Sequence, residues 1–480
     1  MSHSVISAKT MINRRIGYLL AGFVAFLLPG LTWASSTDAG KLDLTDHPLG
    51  LLAVGIFVTA YAFVVLEEKI HLRKSKPVLL AAGLIWGIVA WYAAQHASLG
   101  PEFASNAFRH IFLEFTELFF FLIVAMSFVA AMTERNVFEA LRAELVSRNL
   151  SYRALFLITG VVSFFLSAVL DNLTTALIMS AVILAVGAGN VRFITLAFIN
   201  LVVAANAGGA WCAFGDITTL MVWQAKKVEF FEFFSIFLPS LVNWLIPAVC
   251  MYFAVPKETP PRGIDNADVK FGGWITCLLF VVTIAITVAG KQFLHMPPVY
   301  GMLFGLGLLQ IWGYFIKRHE NKKASLAGAS DGGSYNVFEI IARAEWDTLL
   351  FFYGVLLCVG GLATMGYLEL ASTQIYGELG FTTANVIMGL LSAIVDNIPI
   401  MYAVLQMNPP MDHGQWLLIT LTAGVGGSLL SVGSAAGVAL MGVSKGQYTF
   451  MGHLKWTWAI ALGYIASIYT HLWINAAHFS

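Results

Sequence analysis

Charge is what this chain lacks. Its 480 residues include 27 Lys+Arg and 27 Asp+Glu, 11% in all, while 58% are hydrophobic and the mean hydropathy is +0.78. A soluble domain carries about 25% charged residues. So few charges cannot cover a water-exposed surface, which excludes a globular cytosolic enzyme. Cysteine is scarce too. Cys212, Cys250, Cys277 and Cys358 are scattered through apolar segments without CxxC or Cys/His spacing. That pattern argues against a disulfide framework or a zinc site and leaves four small packing residues. No cofactor and no nucleic-acid partner are expected; the partner in view is a lipid bilayer.

What is present is apolar sequence in spanning lengths, near 49–67, 77–95, 111–132, 191–225, 230–254, 273–290, 299–316, 346–366, 416–443 and 454–476. A helix needs about 20 residues to cross a bilayer. The reading is an all-α, multi-pass protein of a bacterial inner membrane. Basic residues then set its orientation. The loop 68–76 carries Lys69, Arg73, Lys74 and Lys76, and 133–153 carries Arg135, Arg142, Arg148 and Arg153. The loop 317–345 carries Lys317, Arg318, Lys322, Lys323 and Arg343, whereas 367–383 and 406–415 have no Lys or Arg. The basic loops are therefore placed in the cytoplasm, with Lys226-Lys227 the exception. Arg14-Arg15, an apolar run from Ile16 and the stretch ending at Ala34 read as a signal peptide, with an uncleaved first span as the rival for 1–34. The segments 134–150 and 336–346 read as amphipathic helices at the cytoplasmic interface.

Two apolar stretches carry a charge at their centre: SAVLDNLTT from Ser167 and SAIVDNIPI from Ser392. A carboxylate at membrane depth is costly and is normally kept for handling ions, protons or substrate. Both stretches, 152–185 and 385–405, are expected as re-entrant hairpins with Asp171-Asn172 and Asp396-Asn397 at their tips. Non-helical backbone at this depth is tolerated where it is buried in protein or lines a cavity.

The hairpins belong to a longer repeat. EFTEL at Glu114 resembles EWDTL at Glu345, 231 positions on; the Asp-Asn pairs are 225 apart. Gly208-Gly209 through Asp216 matches Gly426-Gly427 through Ser434 at 218. Three blocks in one order, separated by five full spans, predict two inverted repeats, 111–254 and 346–476. Each holds a hairpin and a broken helix, at 191–225 and at 416–443. Residues 49–95 form N-terminal scaffold helices, and 255–345 a linker with two helices and the cytoplasmic loop. Interrupted apolar segments at matching places in two inverted halves point to a transporter's binding site.

The candidate ligands follow from these motifs. The first half offers Asp171, Asn172, Thr174, Thr175, Asn206, Asp216, Thr218 and Thr219. The second offers Ser392, Asp396, Asn397, Ser428, Ser431 and Ser434. Hard oxygen donors suit alkali cations rather than soft metals. Three carboxylates without an arginine favour a cation over a dianion. Desolvation favours the protonated carboxyl and a nearby cation the ionised one, so one site would take Na⁺ (or Li⁺) or H⁺ in competition. His110, Glu114 and Glu117, each about a helical turn apart near a span's start, form a candidate proton relay or an interfacial cluster.

DNLTT with GGAWCAFGDITTLMVW and then SAIVDNIPI resembles the NhaD family of sodium/proton antiporters in the ion transporter superfamily, from about Phe115 to the C-terminus. The resemblance implies the two-repeat fold, a homodimer, and expulsion of Na⁺ or Li⁺ against protons, with no enzymatic activity. Asp171, Asn172, Asp216, Thr218 and Thr219 match the family pattern directly. Asn206, Ser392, Asp396, Asn397, Ser431 and Ser434 fit as the remaining ligands. Cys212 stands where the family usually has a small polar residue. The rivals are an arsenite or dicarboxylate carrier of the same superfamily, disfavoured by the Asp residues, and an intramembrane aspartyl protease. The protease reading lacks a GxGD glycine before Asp216 and a YD partner.

Overall fold

A computed structural model describes residues 42–148, 150–187, 189–260, 267–326, 337–342 and 344–479. The leader expected at 1–34 lies outside them, as do residues 327–336 of the basic loop. Among the described residues every regular element is helical. The helices used below are α1 (Pro48–Val65), α2 (Ser75–Gln95), α3 (Phe103–Glu134), α4 (Val137–Ser147), α5 (Tyr152–Leu170) and α6 (Asn172–Gly187). They continue as α7 (Val191–Ala210), α8 (Ile217–Gln224), α9 (Phe237–Tyr252), α10 (Gly273–Leu294), α11 (Pro298–Leu326) and α12 (Trp346–Thr364). The last are α13 (Tyr367–Leu379), α14 (Phe381–Leu391), α15 (Asn397–Met407), α16 (His413–Gly426), α17 (Ala435–Val443) and α18 (Thr457–Ile474).

Nine helices among the described residues are long and apolar enough to cross a membrane. With so little charge to offer water, the chain is a multi-pass membrane protein. The apolar helices differ in what they meet. α7 is almost wholly buried, the mark of a central helix. α10 and α11 instead expose Leu278, Val281, Phe293, Leu303 and Phe304, as lipid-facing helices do.

The described residues fall into two compact units. The first takes the residues up to Phe115, with Asp347–Gly380 and Gln406–Pro409. In it α1 packs on α2, Trp86 Nε1 donates to the Leu357 carbonyl at 2.9 Å, and Ser75 donates to the Asp347 carboxylate. The segment 367–383, expected as a loop, contains α13. Its Tyr367 hydroxyl donates to the Thr45 carbonyl at 3.1 Å, so burial of one face makes a helix where no spanning run exists.

The second unit takes Thr116–Trp346, Phe381–Leu405 and the chain from Pro410. Its elements come twice in one order, a helix pair broken at an Asp and then a helix broken at glycines: α5/α6 and α7/α8, then α14/α15 and α16/α17. α5 and α6 pack along α7, α14 packs along α16, and the two broken helices meet through α7 and α16. The buried Arg135 ties the start of α4 to the end of α11 through Glu320 at 2.5 Å.

Candidate functional site

The helix breaks are built by local chemistry. α5 starts at Ser151, whose hydroxyl accepts from Ala154 N at 3.3 Å, and it stops at Asp171. There the backbone turns to φ 68°, ψ 161°, a region that L-residues avoid at a cost of about 1–3 kcal/mol. The Asp171 side chain then caps α6: Oδ1 accepts from Thr174 N and Oδ2 from Thr174 Oγ1, both at 2.8 Å. The second pair stops at Leu391 and restarts at Asn397, with Pro399 in the first turn, where a missing N–H costs nothing.

The glycine breaks repeat the device of a capped half-helix. α8 is capped by Asp216, whose Oδ1 accepts from Thr218 N at 3.2 Å, while Thr219 Oγ1 accepts from Asp216 N at 3.2 Å. α17 is capped by Ser434, which accepts from Gly437 N at 3.2 Å. The contacts onto each preceding arm also match. Ser167 Oγ donates to the Ala205 carbonyl at 2.6 Å, and Ser392 Oγ to that of Ala423 at 3.0 Å. A Cβ on Gly208 would sit 2.1 Å from the Phe164 carbonyl oxygen, and one on Gly426 2.0 Å from that of Gly389. Only glycine permits this backbone approach.

These breaks converge. Asp216 Oδ2 accepts from Asn172 Nδ2 at 3.0 Å and from Asn397 Nδ2 at 2.9 Å. The same Asn172 nitrogen donates to Asn206 Oδ1 at 3.0 Å, and Asn206 Nδ2 donates to Ser428 Oγ at 2.8 Å. All five residues are buried. Charge-assisted and amide bonds of this kind are worth more at low dielectric than in water. Thr175 and Thr218 are fully buried, and their hydroxyl oxygens have no hydrogen-bond partner among the described residues. Asp171 and Asp396 are close enough to Asp216 to act on it electrostatically.

A cavity of about 20 Å³ touches both Asp171 and Asp216, with Phe214 and Phe280 in its wall. That is room for roughly one water-sized body. Among the described residues the cluster offers carboxylate, amide and hydroxyl oxygens and no cationic side chain, a donor set for a small hard cation or a proton.

Other expected residues have structural partners. Ser431 Oγ lies 3.4 Å from Met441 Sδ, Ser434 is a cap, and Ser392 serves a backbone carbonyl. α3 begins at Phe103, ahead of the expected 111, so His110, Glu114 and Glu117 lie inside it rather than at its start. His110 and Glu114 belong to the first unit. There the mostly exposed His110 Nδ1 is 3.6 Å from Glu114, which also accepts from Gln406 Nε2 at 3.2 Å. Glu117 belongs to the second unit, in electrostatic reach of Lys291.

Sequence reasoning passed over His453. Its Nε2 is 2.9 Å from the Ser428 carbonyl and its Nδ1 2.7 Å from the Tyr448 hydroxyl. A carbonyl only accepts, so Nε2 carries the proton and Tyr448 donates to Nδ1. A histidine at the edge of an apolar run was the available signal.

Comparison with known proteins follows the same lines. The Citrate transporter family matches residues 15–424. The Na(+)/H(+) antiporter NhaD of Alkalimonas amylolytica is 52% identical over 95% of this chain and 97% of its own length. The antiporter of the same name from Vibrio cholerae serotype O1 is 51% identical over 95% and 98%. Sodium/proton antiporter 1 of Arabidopsis thaliana is 31% identical over 98% of this chain and 78% of its own. Identity at this level along nearly the whole length leaves one assignment: the chain belongs to the NhaD family of sodium/proton antiporters, within the broader citrate-transporter family.

Proposed function

We propose that this chain exchanges cytoplasmic Na⁺ or Li⁺ for external H⁺ by alternating access, as a homodimer in a bacterial inner membrane. The observation that carries the reading is the convergence on Asp216 Oδ2 of an amide from each hairpin tip, beside a chamber shared with Asp171. Asp171 and Asp216 are the proton-exchanging carboxylates, with Asp396 in support. Thr175 and Thr218 offer free oxygens to the cation; Asn172, Asn206 and Asn397 hold the frame. Na⁺ and H⁺ compete for the same carboxylates, because burial favours the protonated form and a cation the ionised form. Occupation by one excludes the other, and that exclusion couples their movements.

The same reading takes 111–254 and 346–476 as inverted repeats, with α5/α6 and α14/α15 as re-entrant hairpins. The matched bonds of Ser167 and Ser392, and the matched contacts of Gly208 and Gly426, support it. A citrate-type carrier fits the cluster less well, since a polyanion would meet carboxylates and no cationic side chain there.

Everted vesicles containing the protein test the reading. Adding Na⁺ or Li⁺ should collapse a preformed pH gradient, and Asp171→Asn and Asp216→Asn should abolish the response with protein still in the membrane. Wild-type vesicles that hold folded protein and ignore both cations would overturn it. Unchanged exchange in both variants would move the site elsewhere.

A further inference from the structure

A second cavity in the same unit, about 380 Å³, is bounded by α3, α4, α6 and residues 344–345. Its wall includes Thr174, the residue bonded to both oxygens of Asp171, together with Glu139, Arg142 and Glu345. It reaches the surface, for Thr133 and Glu345 in its lining are exposed. Both segments at that mouth belong to the strongly basic stretches 133–153 and 317–345, which marks the side as cytoplasmic. The small chamber at Asp171 and Asp216 and this larger cavity share two lining residues on α3, Met126 and Val129. Three positions apart, they lie on one helix face.

We propose that the larger cavity is the cytoplasmic vestibule for the exchanged cation and that Met126 and Val129 form the constriction between it and the carboxylate chamber. This rests on the exchange reading above. Glu139 and Glu345 raise the local cation concentration at the mouth, and Glu139 Oε2 is buried without a hydrogen-bond partner among the described residues. An apolar constriction opposes passage of a hydrated ion. Valine is stiff at χ1, whereas methionine is unbranched with three rotatable bonds, so Met126 is the part that moves.

The test uses the full chain in vesicles and, for binding, purified in detergent. Met126→Trp and Val129→Phe should cut the maximal Na⁺-driven exchange rate about tenfold or more, while equilibrium Na⁺ binding by calorimetry stays within about twofold. Glu139→Cys should react with an impermeant maleimide in everted vesicles and not in right-side-out ones, against a wild-type control for the four native cysteines. Wild-type rates in Met126→Trp and Val129→Phe would overturn the constriction. So would loss of Na⁺ binding together with rate in these variants. Labelling of Glu139→Cys from the outer face, or from neither, would overturn the vestibule. Wild-type exchange and its loss in Asp171→Asn are scored separately, so a failed constriction leaves the exchange reading standing.

Discussion

Asn397 Nδ2 lies 2.9 Å from Asp216 Oδ2, an amide from the second broken pair donating to the carboxylate that caps α8. Asn172 Nδ2 meets the same oxygen at 3.0 Å from the first pair. One oxygen thus joins the two copies of the motif.

Removing either amide should therefore loosen both copies. Asn172→Ala and Asn397→Ala each delete a hydrogen bond to a charged group, worth about 1.5–3 kcal/mol. Because both bonds end on one atom, the double variant should depart from additivity by about 0.5 kcal/mol or more. Thermal unfolding of the two singles and the double in detergent measures this, and strict additivity would count against a shared acceptor.

Asp171 couples a strained backbone to a charged side chain, and the two can be separated. Asp171→Gly and Asp171→Ala both lose the cap, and only alanine keeps the strain. The glycine variant should be more stable than the alanine variant by about 1–3 kcal/mol, and both should be inactive in the vesicle assay. Equal stabilities would show that the φ of 68° carries no strain.

Gly208 and Gly426 face backbone atoms, which cannot swing away as a side chain can. Gly208→Ala and Gly426→Ala should each cost about 3 kcal/mol or more, toward the large end for overpacking. Gly307 in α11 has nothing within 4 Å of an added Cβ. Gly307→Ala should leave the monodisperse fraction in size-exclusion chromatography unchanged while the other two lower it.

His453 supports Ser428 from behind the proposed site. His453→Phe leaves the buried Ser428 carbonyl unpaired, at about 1–3 kcal/mol, and takes from the Tyr448 hydroxyl its histidine acceptor. Tyr448→Phe leaves only Nδ1 without its donor and should cost less. Melting temperatures should fall in the order wild type, Tyr448→Phe, His453→Phe.

The breaks were legible because their signals oppose their surroundings. A charge inside an apolar run marks Asp171 and Asp396, and paired glycines mark the ends of α7 and α16; most spanning helices end within a few residues of the apolar stretches, but α3 starts eight residues early at Phe103 and α11 runs ten residues on to Leu326. α13 was not legible. Tyr367–Leu379 mixes Glu, Ser, Thr and Gln with apolar residues, and a search for runs of spanning length passes over a short helix buried on one side. The meeting of Asn172, Asn206, Asn397 and Ser428 around Asp216 was not legible either. Sequence spacing gives each residue's place along a helix, whereas their distances depend on how α6, α7, α15 and α16 pack. His453 escaped for a related reason, since its partners Ser428 and Tyr448 come from different elements.

The bonding at Asp216 also fixes a direction. An ionised carboxylate can only accept, so Asn172 and Asn397 must present nitrogen to it; turned over, each would set two oxygens face to face. A proton on Oδ2 makes that atom a donor, and the favoured orientation of a facing amide reverses. The ionisation of one buried acid is therefore written into the polarity of the amides that face it: both donate to the ionised oxygen, and one must turn to accept its proton. Through the second N–H of Asn172 that polarity passes to Asn206 and on to Ser428.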